Sequence, residues 1–311
     1  MTTIHMDTAK VVAFNLQKLA RQEGKTVFVA TTHEDLLEDL QPSIVIRKDF
    51  GNRVEVINCQ YDTNAQCSLV KNMYVAEGAR KDYEELAPFH YRSSSLAATQ
   101  KVFALKRDTE TVGVIVYRYP GANCFGRRKA FGRALSLREV NESISLISRV
   151  IIHPKYRTIG LGAKLVRDTL PLCGKPYVET VAVMARYNPF FERAGLVKIA
   201  ESTPDKSVST AIERLKTLGL NPLFLSSEKY NMQTLRTNPT YIEAIREILS
   251  SLHSPLLLKF ADSHDPFGRK AEYQAMMRNA SVEKLAKMLR TLAVLAQTKV
   301  YLFWANPASI N

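Results

Sequence analysis

Long apolar runs are missing from this 311-residue chain: no stretch approaches the ~20 consecutive apolar residues that a membrane-spanning helix needs. The N-terminal residues MTTIHMDTAK lack the apolar core of a secretory signal, so the expectation is a cytoplasmic protein with no membrane partner. Cysteine is scarce. Cys59, Cys67, Cys124 and Cys173 form no C-x-x-C pair and no metal-ligand rhythm. A disulfide framework and a structural zinc site are therefore not expected, and the four are read as reduced, mostly buried thiols. Negative charge also falls short, with 43 Lys and Arg against 30 Asp and Glu, a net charge of +13. Such an excess raises the local concentration of polyanions, and nucleic acid is the partner it suggests. There is no internal repeat and no low-complexity segment.

What is present divides into three blocks. Residues 1–66 read as a helix over Thr8–Gln22, a strand over Thr26–Thr31 and a second strand over Ser43–Lys48. Residues 67–203 alternate: a strand at Ser68–Val75, a helix at Arg80–Pro88, then two alternating runs, Lys101–Lys106 and Thr111–Tyr119, joined as a hairpin. There follow a strand at Ile144–Ile152, a helix at Gly160–Leu172 and a strand at Tyr177–Met184. A short helix at Asn188–Ala194, with Asn188 as cap and Pro189 in its first turn, is closed by Gly195. Residues 204–311 read as mainly helical α/β, with amphipathic helices at Ser207–Leu218, Pro239–Leu252 and Ser281–Gln297. Two apolar runs there, Pro255–Phe260 and Lys299–Trp304, are expected as buried strands.

The most informative segment runs from Ile151 to Leu165. A hydrophobic strand enters an Arg/Gly-rich turn, with Arg157, Gly160 and Gly162 at R-x-x-G-x-G spacing, and the turn opens a helix. Such a turn aims backbone N–H groups into one concavity at a helix N-terminus, where unpaired amides and the helix dipole favour a phosphate or pyrophosphate. Glycine suits it because a Cβ would obstruct close approach of a ligand to the backbone. A second feature is the span Gly121–Glu139. It holds Arg127, Arg128, Lys129, Arg133 and Arg138 with Phe125 and Phe131 among them, a mixture suited to phosphate contact and base stacking. It is expected as a functional loop, with Arg127, Arg128, Lys129 and Arg133 as nucleic-acid contacts.

The order of elements in 67–203, with Val150-Ile-Ile-His-Pro-Lys-Tyr-Arg-Thr-Ile-Gly-Leu-Gly-Ala-Lys-Leu165 matching V-x-P-x-x-R-x-x-G-x-G-x-x-L, resembles the GNAT superfamily of N-acetyltransferases. The resemblance implies an α/β fold with a mixed, splayed sheet flanked by helices, and acetyl-CoA as cofactor. It implies that amides around Arg157, Thr158, Ile159, Gly160, Leu161 and Gly162 cradle the pyrophosphate. Val150, Ile151 and Ile152 would pair with the pantetheine arm, and Asn188 and Phe191 would lie against the cofactor. The chemistry implied is direct attack of an amine on the thioester. Many members carry a Tyr in Y-E-x-x-G-F as general acid, but the matching position here is Phe191, which has no proton to give. Tyr187 is the nearest phenol. His90 and Tyr91, at the end of the first helix of the block, are the other candidate catalytic residues.

With His90-Tyr91, the run Ala185-Arg-Tyr-Asn-Pro-Phe-Phe-Glu-Arg-Ala-Gly195 is similar to a GNAT branch related to the phage DNA-modification protein Mom, which acts on adenine. It also resembles archaeal proteins that fuse an ABC-type ATPase to such a domain. In that light Val27–Asp35 resembles the end of an ABC ATPase, with His33 as switch histidine and Asp7 in the D-loop position. An ATPase core is absent: Gly24-Lys25-Thr26 lacks the first P-loop glycine, since Leu19 stands there. Two expectations stay open for residues 1–66, an ATPase-like remnant or a piece of a longer or split gene, and an ABC-type ATPase is the partner the resemblance implies. The function expected is acetyl-CoA-dependent acylation of a nucleobase amine, with a protein or small-molecule amine as the alternative and a non-catalytic binding protein as the third.

Overall fold

The computed structural model describes residues 5–62, 64–90, 98–252, 257 and 268–309. They fall into two compact units. One comprises residues 1–180, 187–199 and 301–311, and the other residues 181–186 and 200–300. Residues 1–66 thus share a unit with the central block, and the last strand belongs with it too.

The first unit is built on a seven-stranded sheet of order β3-β4-β5-β6-β7-β9-β8. Its strands are β3 (Tyr74–Glu77), β4 (Thr99–Arg107), β5 (Glu110–Arg118), β6 (Ile144–Ile152), β7 (Tyr177–Ala182), β8 (Val197–Ser202) and β9 (Lys299–Ala305). From β3 to β6 neighbours are antiparallel, whereas β6 and β7 are parallel. β5 explains itself from sequence. Its run Val112-Gly-Val-Ile-Val-Tyr117 is buried on both faces, as expected of a central strand covered on each side by helix. On one side α3 (Arg80–Leu86) sets Tyr83, Leu86 and the following Ala87 against Val102, Val114, Val116 and Ile151. On the other, α6 (Leu161–Thr169) buries Leu161, Leu165 and Val166 at helical spacing. Gly113 lets α6 and β6 close on β5, since a Cβ there would stand 2.6 Å from Ile152 Cδ1.

The N-terminal helix α1 (Met6–Gln22) ends where Gly24 takes a φ of +61°. Gly24 N–H bonds Arg21 O at 3.4 Å and Lys25 N–H bonds Ala20 O at 2.8 Å, so Gly24-Lys25 is a helix terminator, not a phosphate loop. A short helix α2 (Leu37–Leu40) and a separate hairpin, β1 (Ile44–Lys48) with β2 (Val54–Asn58), follow. The remaining helices of this unit are α4 (Arg127–Phe131), α5 (Leu137–Ser143) and α7 (Phe190–Arg193).

Several expectations are corrected. Thr26–Thr31 is not a strand: no neighbour supplies a ladder, and Phe28 is 94% exposed. The strand expected at Ser68–Val75 begins only at Tyr74, after a 3-10 turn over Ser68–Asn72. Buried Asp39 fixes that turn by accepting from Ser68 N at 2.7 Å and Ser68 Oγ at 2.6 Å. Gly121–Glu139 is not a plain loop, because α4 and the start of α5 lie within it. The cap of α7 is Pro189 rather than Asn188. β2 and β8 went unforeseen.

The second unit is helical, with α8 (Lys206–Thr217), α9 (Glu228–Thr237), α10 (Tyr241–Ser250), α11 (Gly268–Arg278) and α12 (Val282–Leu295). Asp205, Ser227 and Ser281 cap α8, α9 and α12 by accepting from the third N–H of each helix. Buried Asn231 ties α9 to α12 by donating to Ala286 O at 3.1 Å. Of the strand expected over 255–260, only Leu257 is among the described residues, and it is helical and buried.

Candidate active site

β6 and β7 pair only at their first residues, Ile144 with Tyr177, Ser145 with Val178 and Leu146 with Glu179. Thr180 Oγ1 then donates to Ile147 O at 3.1 Å, and beyond that point no ladder joins the two strands. Meanwhile β6 stays paired with β5 out to Ile152. The register slips between Val116 and Tyr117 of β5, leaving Ser148 as an extra residue of β6, a bulge that bends the strand at the mouth of the fork. One edge of Ile147–Ile152 is therefore open to an added extended chain.

The strand leads directly into the Arg/Gly turn. A 3-10 turn over Pro154–Tyr156 is capped by His153, whose Nδ1 accepts from Lys155 N at 3.3 Å. Arg157 then folds back, its Nε donating to Ile152 O at 3.0 Å and its Nη2 to Phe89 O at 3.2 Å. Its guanidinium thus holds the turn's shape rather than reaching toward a ligand. Thr158 has a φ of +72° and Gly160 of +88°. The first bond of α6 closing onto this turn runs from Lys164 N to Gly160 O at 3.1 Å, so the earlier N–H groups have no partner within the helix. A cavity of about 490 Å³ opens over Thr158, Ile159 and Gly160, with Ala65, Gln66 and the α1 residues Phe14, Gln17, Lys18, Arg21 and Gln22 on its other walls.

The two glycines differ. A Cβ on Gly160 would meet nothing within 4 Å, whereas one on Gly162 would lie 3.4 Å from the Phe190 ring. Phe190 is thus the aromatic against the turn, a residue the sequence reading missed in favour of Phe191. The Phe191 ring is buried and packs on Phe190 at 4.1 Å. Among the expected β6 contacts, the Ile151 side chain belongs to the core beneath α3, which leaves the backbone of Val150, Ile151 and Ile152 as what the fork presents.

His90 ends the segment after α3, its N–H bonded to Ala87 O at 3.0 Å. Its neighbour Phe89 packs edge-on against His153 at 4.9 Å and accepts from Arg157, so His90 adjoins the turn. Tyr91 lies outside the described residues. Tyr187 is 73% exposed and sits three residues before Phe190, between the end of β7 and α7.

The basic segment requires a correction. Arg127 is not a nucleic-acid contact: it is buried and bidentate to Glu179, Nε to Oε2 at 3.0 Å and Nη2 to Oε1 at 2.6 Å. It also donates to Ala122 O at 2.8 Å and Gly121 O at 3.0 Å. The Tyr301 hydroxyl donates to Glu179 Oε2 at 2.8 Å, and burial together with the Glu179 charge pushes its phenol well above the ordinary range. Phe131 packs on Tyr177 and Phe303 at 4.9 and 5.2 Å. Arg133 is paired with Glu139 at 2.6 Å. Arg128 and Lys129 remain as exposed cations of α4. Burial raises the Cys67 thiol to about 12 and the Cys124 thiol to about 11, so neither is a nucleophile at neutral pH. Among the described residues no group of His, Cys, Asp and Glu could hold a metal, and no helix is long and apolar enough to cross a membrane.

No protein-family model and no curated protein matches the chain. Solved structures similar to it include an acetyltransferase from Bacillus subtilis in complex with CoA, at 13% identity over 43% of this chain and 80% of that one, with a TM-score of 0.30. A GNAT family acetyltransferase from Brucella melitensis in complex with acetyl-CoA is similar at 14% identity over 40% and 82%, TM-score 0.29. The ribosomal-protein-S18-alanine N-acetyltransferase from Escherichia coli is similar at 11% identity over 43% and 85%, TM-score 0.29.

Proposed function

We propose that this chain is an acetyl-CoA-dependent N-acyltransferase of GNAT type. The observation that carries the reading is the fork between β6 and β7 opening beside a turn that lines a cavity and whose first N–H groups have no partner within the helix. The free edge of Ile147–Ile152 fits the amide-bearing arm of CoA, and the amides from Ile159 to Gly162 fit its pyrophosphate. The bound cofactor would supply an activated acyl group as a thioester. Phe190 flanks the turn, and Tyr187, exposed at the hinge into α7, is the proposed proton donor where Phe191 has none. His90 is the proposed second participant.

For the acceptor we propose an exocyclic nucleobase amine of nucleic acid. Glu179, the carboxylate at the fork, has both oxygens held by Arg127 and one also by Tyr301, so it is not available as a base. An alkyl ammonium must lose a proton before it attacks. A nucleobase amine, its lone pair drawn into the ring, is already neutral and needs instead to be held close to the thioester. The net charge of +13 and the exposed Arg128 and Lys129 support an anionic substrate. For residues 1–66 we propose an ABC-type ATPase partner, on the sequence resemblance and on the apolar residues Ile44, Ile46, Val54 and Val56 exposed on one face of the β1–β2 hairpin.

Melting in the presence of acetyl-CoA tests the cofactor, since a ligand that binds only the folded state must raise Tm. No shift at saturating acetyl-CoA overturns the reading. Mass spectrometry of nucleosides from RNA and DNA incubated with acetyl-CoA tests the acceptor. An acylated protein or small amine with unmodified nucleosides would move the acceptor to that class.

A further inference from the structure

Helix α1 lies outside the stretch that resembles an acyltransferase, yet it forms a wall of the cavity at the glycine turn. Phe14, Gln17, Lys18 and Arg21 fall on one helical face, at i, i+3, i+4 and i+7. All four line the void together with Thr158, Ile159 and Gly160, and no lining residue is acidic. None of the ion pairs among the described residues involves Lys18. Arg21 is held by neutral groups: it stacks over the Tyr61 ring at 4.2 Å and donates to Gln41 O at 2.5 Å and to Gln17 Oε1. The helix dipole accounts for cations in the last turns of α1, but not for their facing the concavity formed by the turn of another helix. The helix is also fixed at its far end. Asp7 Oδ2 accepts from Lys155 Nζ at 2.7 Å and Arg107 Nη1 at 2.8 Å, which ties α1 to the segment entering the turn.

Two cations without an acidic partner therefore line a void shared with Thr158, Ile159 and Gly160 of the turn, beside the helix N-terminus whose first N–H groups have no partner within the helix. We infer that α1 completes the nucleotide end of the cofactor site, and that Lys18 and Arg21 bind the terminal phosphomonoester, the 3′-phosphate that distinguishes CoA from dephospho-CoA. The inference rests on the acyl-CoA reading above and adds to it a specificity device supplied from outside the block carrying the glycine turn. A cavity of about 490 Å³ is of the size that small-molecule sites take. A phosphomonoester carries nearly two negative charges at neutral pH, so it gains from a pair of charge-assisted donors where a single hydroxyl does not.

Calorimetric titration of the full chain with CoA and with dephospho-CoA separates the inference from its foundation. Wild type should prefer CoA by roughly tenfold or more, a preference that falls as salt is raised. The double variant Lys18→Gln/Arg21→Gln should lose that preference while its affinity for dephospho-CoA stays unchanged. Glutamine is a good helix former, so Lys18→Gln alone should leave Tm unchanged. Arg21→Gln also gives up the Tyr61 stack and the bond to Gln41 O, so unchanged affinity for dephospho-CoA is the control that the double variant keeps its site. Equal wild-type affinity for the two ligands, or a preference that survives in the double variant, overturns the assignment of Lys18 and Arg21 and leaves the acyl-CoA reading standing. Failure of wild type to bind either ligand overturns both.

Discussion

Gly160 and Gly162 occupy the same motif for different reasons. Gly160 has open space where a Cβ would go but a φ of +88°, so Gly160→Ala should lower stability by about 1–2 kcal/mol through backbone strain alone. Gly162 is helical and its Cβ would make an ordinary contact with Phe190, so Gly162→Ala should hold stability or raise it by up to about 1 kcal/mol. Denaturant midpoints of the two variants give the comparison; equal losses would contradict it. Arg127 presents the opposite case, a residue whose composition suggested a surface role. Arg127→Met should cost roughly 3–5 kcal/mol by leaving Glu179 buried without its partner. Nothing local signals this, because Glu179 lies 52 residues away in sequence. The turn at R-x-x-G-x-G was readable because its backbone geometry is local; the fate of Arg127 was not, because burial is decided by the partner.

Among elements, helices with a clear periodic apolar face were found from sequence, as with α1, α6, α8, α10 and α12, whereas α9, capped by Ser227 but with only Asn231 and Leu235 buried, was not. The β4–β5 hairpin, whose turn lies between two alternating runs, was found as well. The misses among strands share a cause. Val27, Phe28 and Val29 alternate no worse than Ile44, Val45 and Ile46, but only the latter have a partner strand, β2. Leu69 and Val70 look like a strand until Asp39 captures Ser68. The Asp7 anchor of α1 gives a pH test. Burial alone would raise the Asp7 carboxyl, but the hydrogen bonds from Arg107 and Lys155 outweigh it and hold the group at about 2, against an ordinary 3.8. A folded-state value below the unfolded one stabilises above that unfolded value, and the contribution disappears as pH falls from about 4 to about 2. Asp7→Asn should therefore cost about 1–3 kcal/mol at neutral pH. The gap between variant and wild type should close in acid, and a pH-independent gap in melting temperature would remove Asp7 from that role.

For the molecule as a whole, the excess of positive charge predicts that bulk tRNA or single-stranded DNA is retained at low salt and released steeply as salt rises. No retention in 50 mM salt or less would leave the charge without that purpose. Substituting Arg128 and Lys129 together should weaken retention uniformly across sequences and reduce the salt slope by about two phosphates' worth.

The sheet order carries a consequence for how the chain reaches its native state. β9 lies between β7 and β8, and Tyr301 on it is buried against Glu179. Residues 203–298, most of the helical unit, are threaded between the strand β8 and its neighbour β9. The fork can be held shut at its base only after that insertion has been made and the chain has returned. Closing so long a loop is a slow, non-local step. The helices of residues 203–298 should therefore gain protection from hydrogen exchange during refolding before β7 does, and the β6–β7 fork should be the last part of the protein to mature.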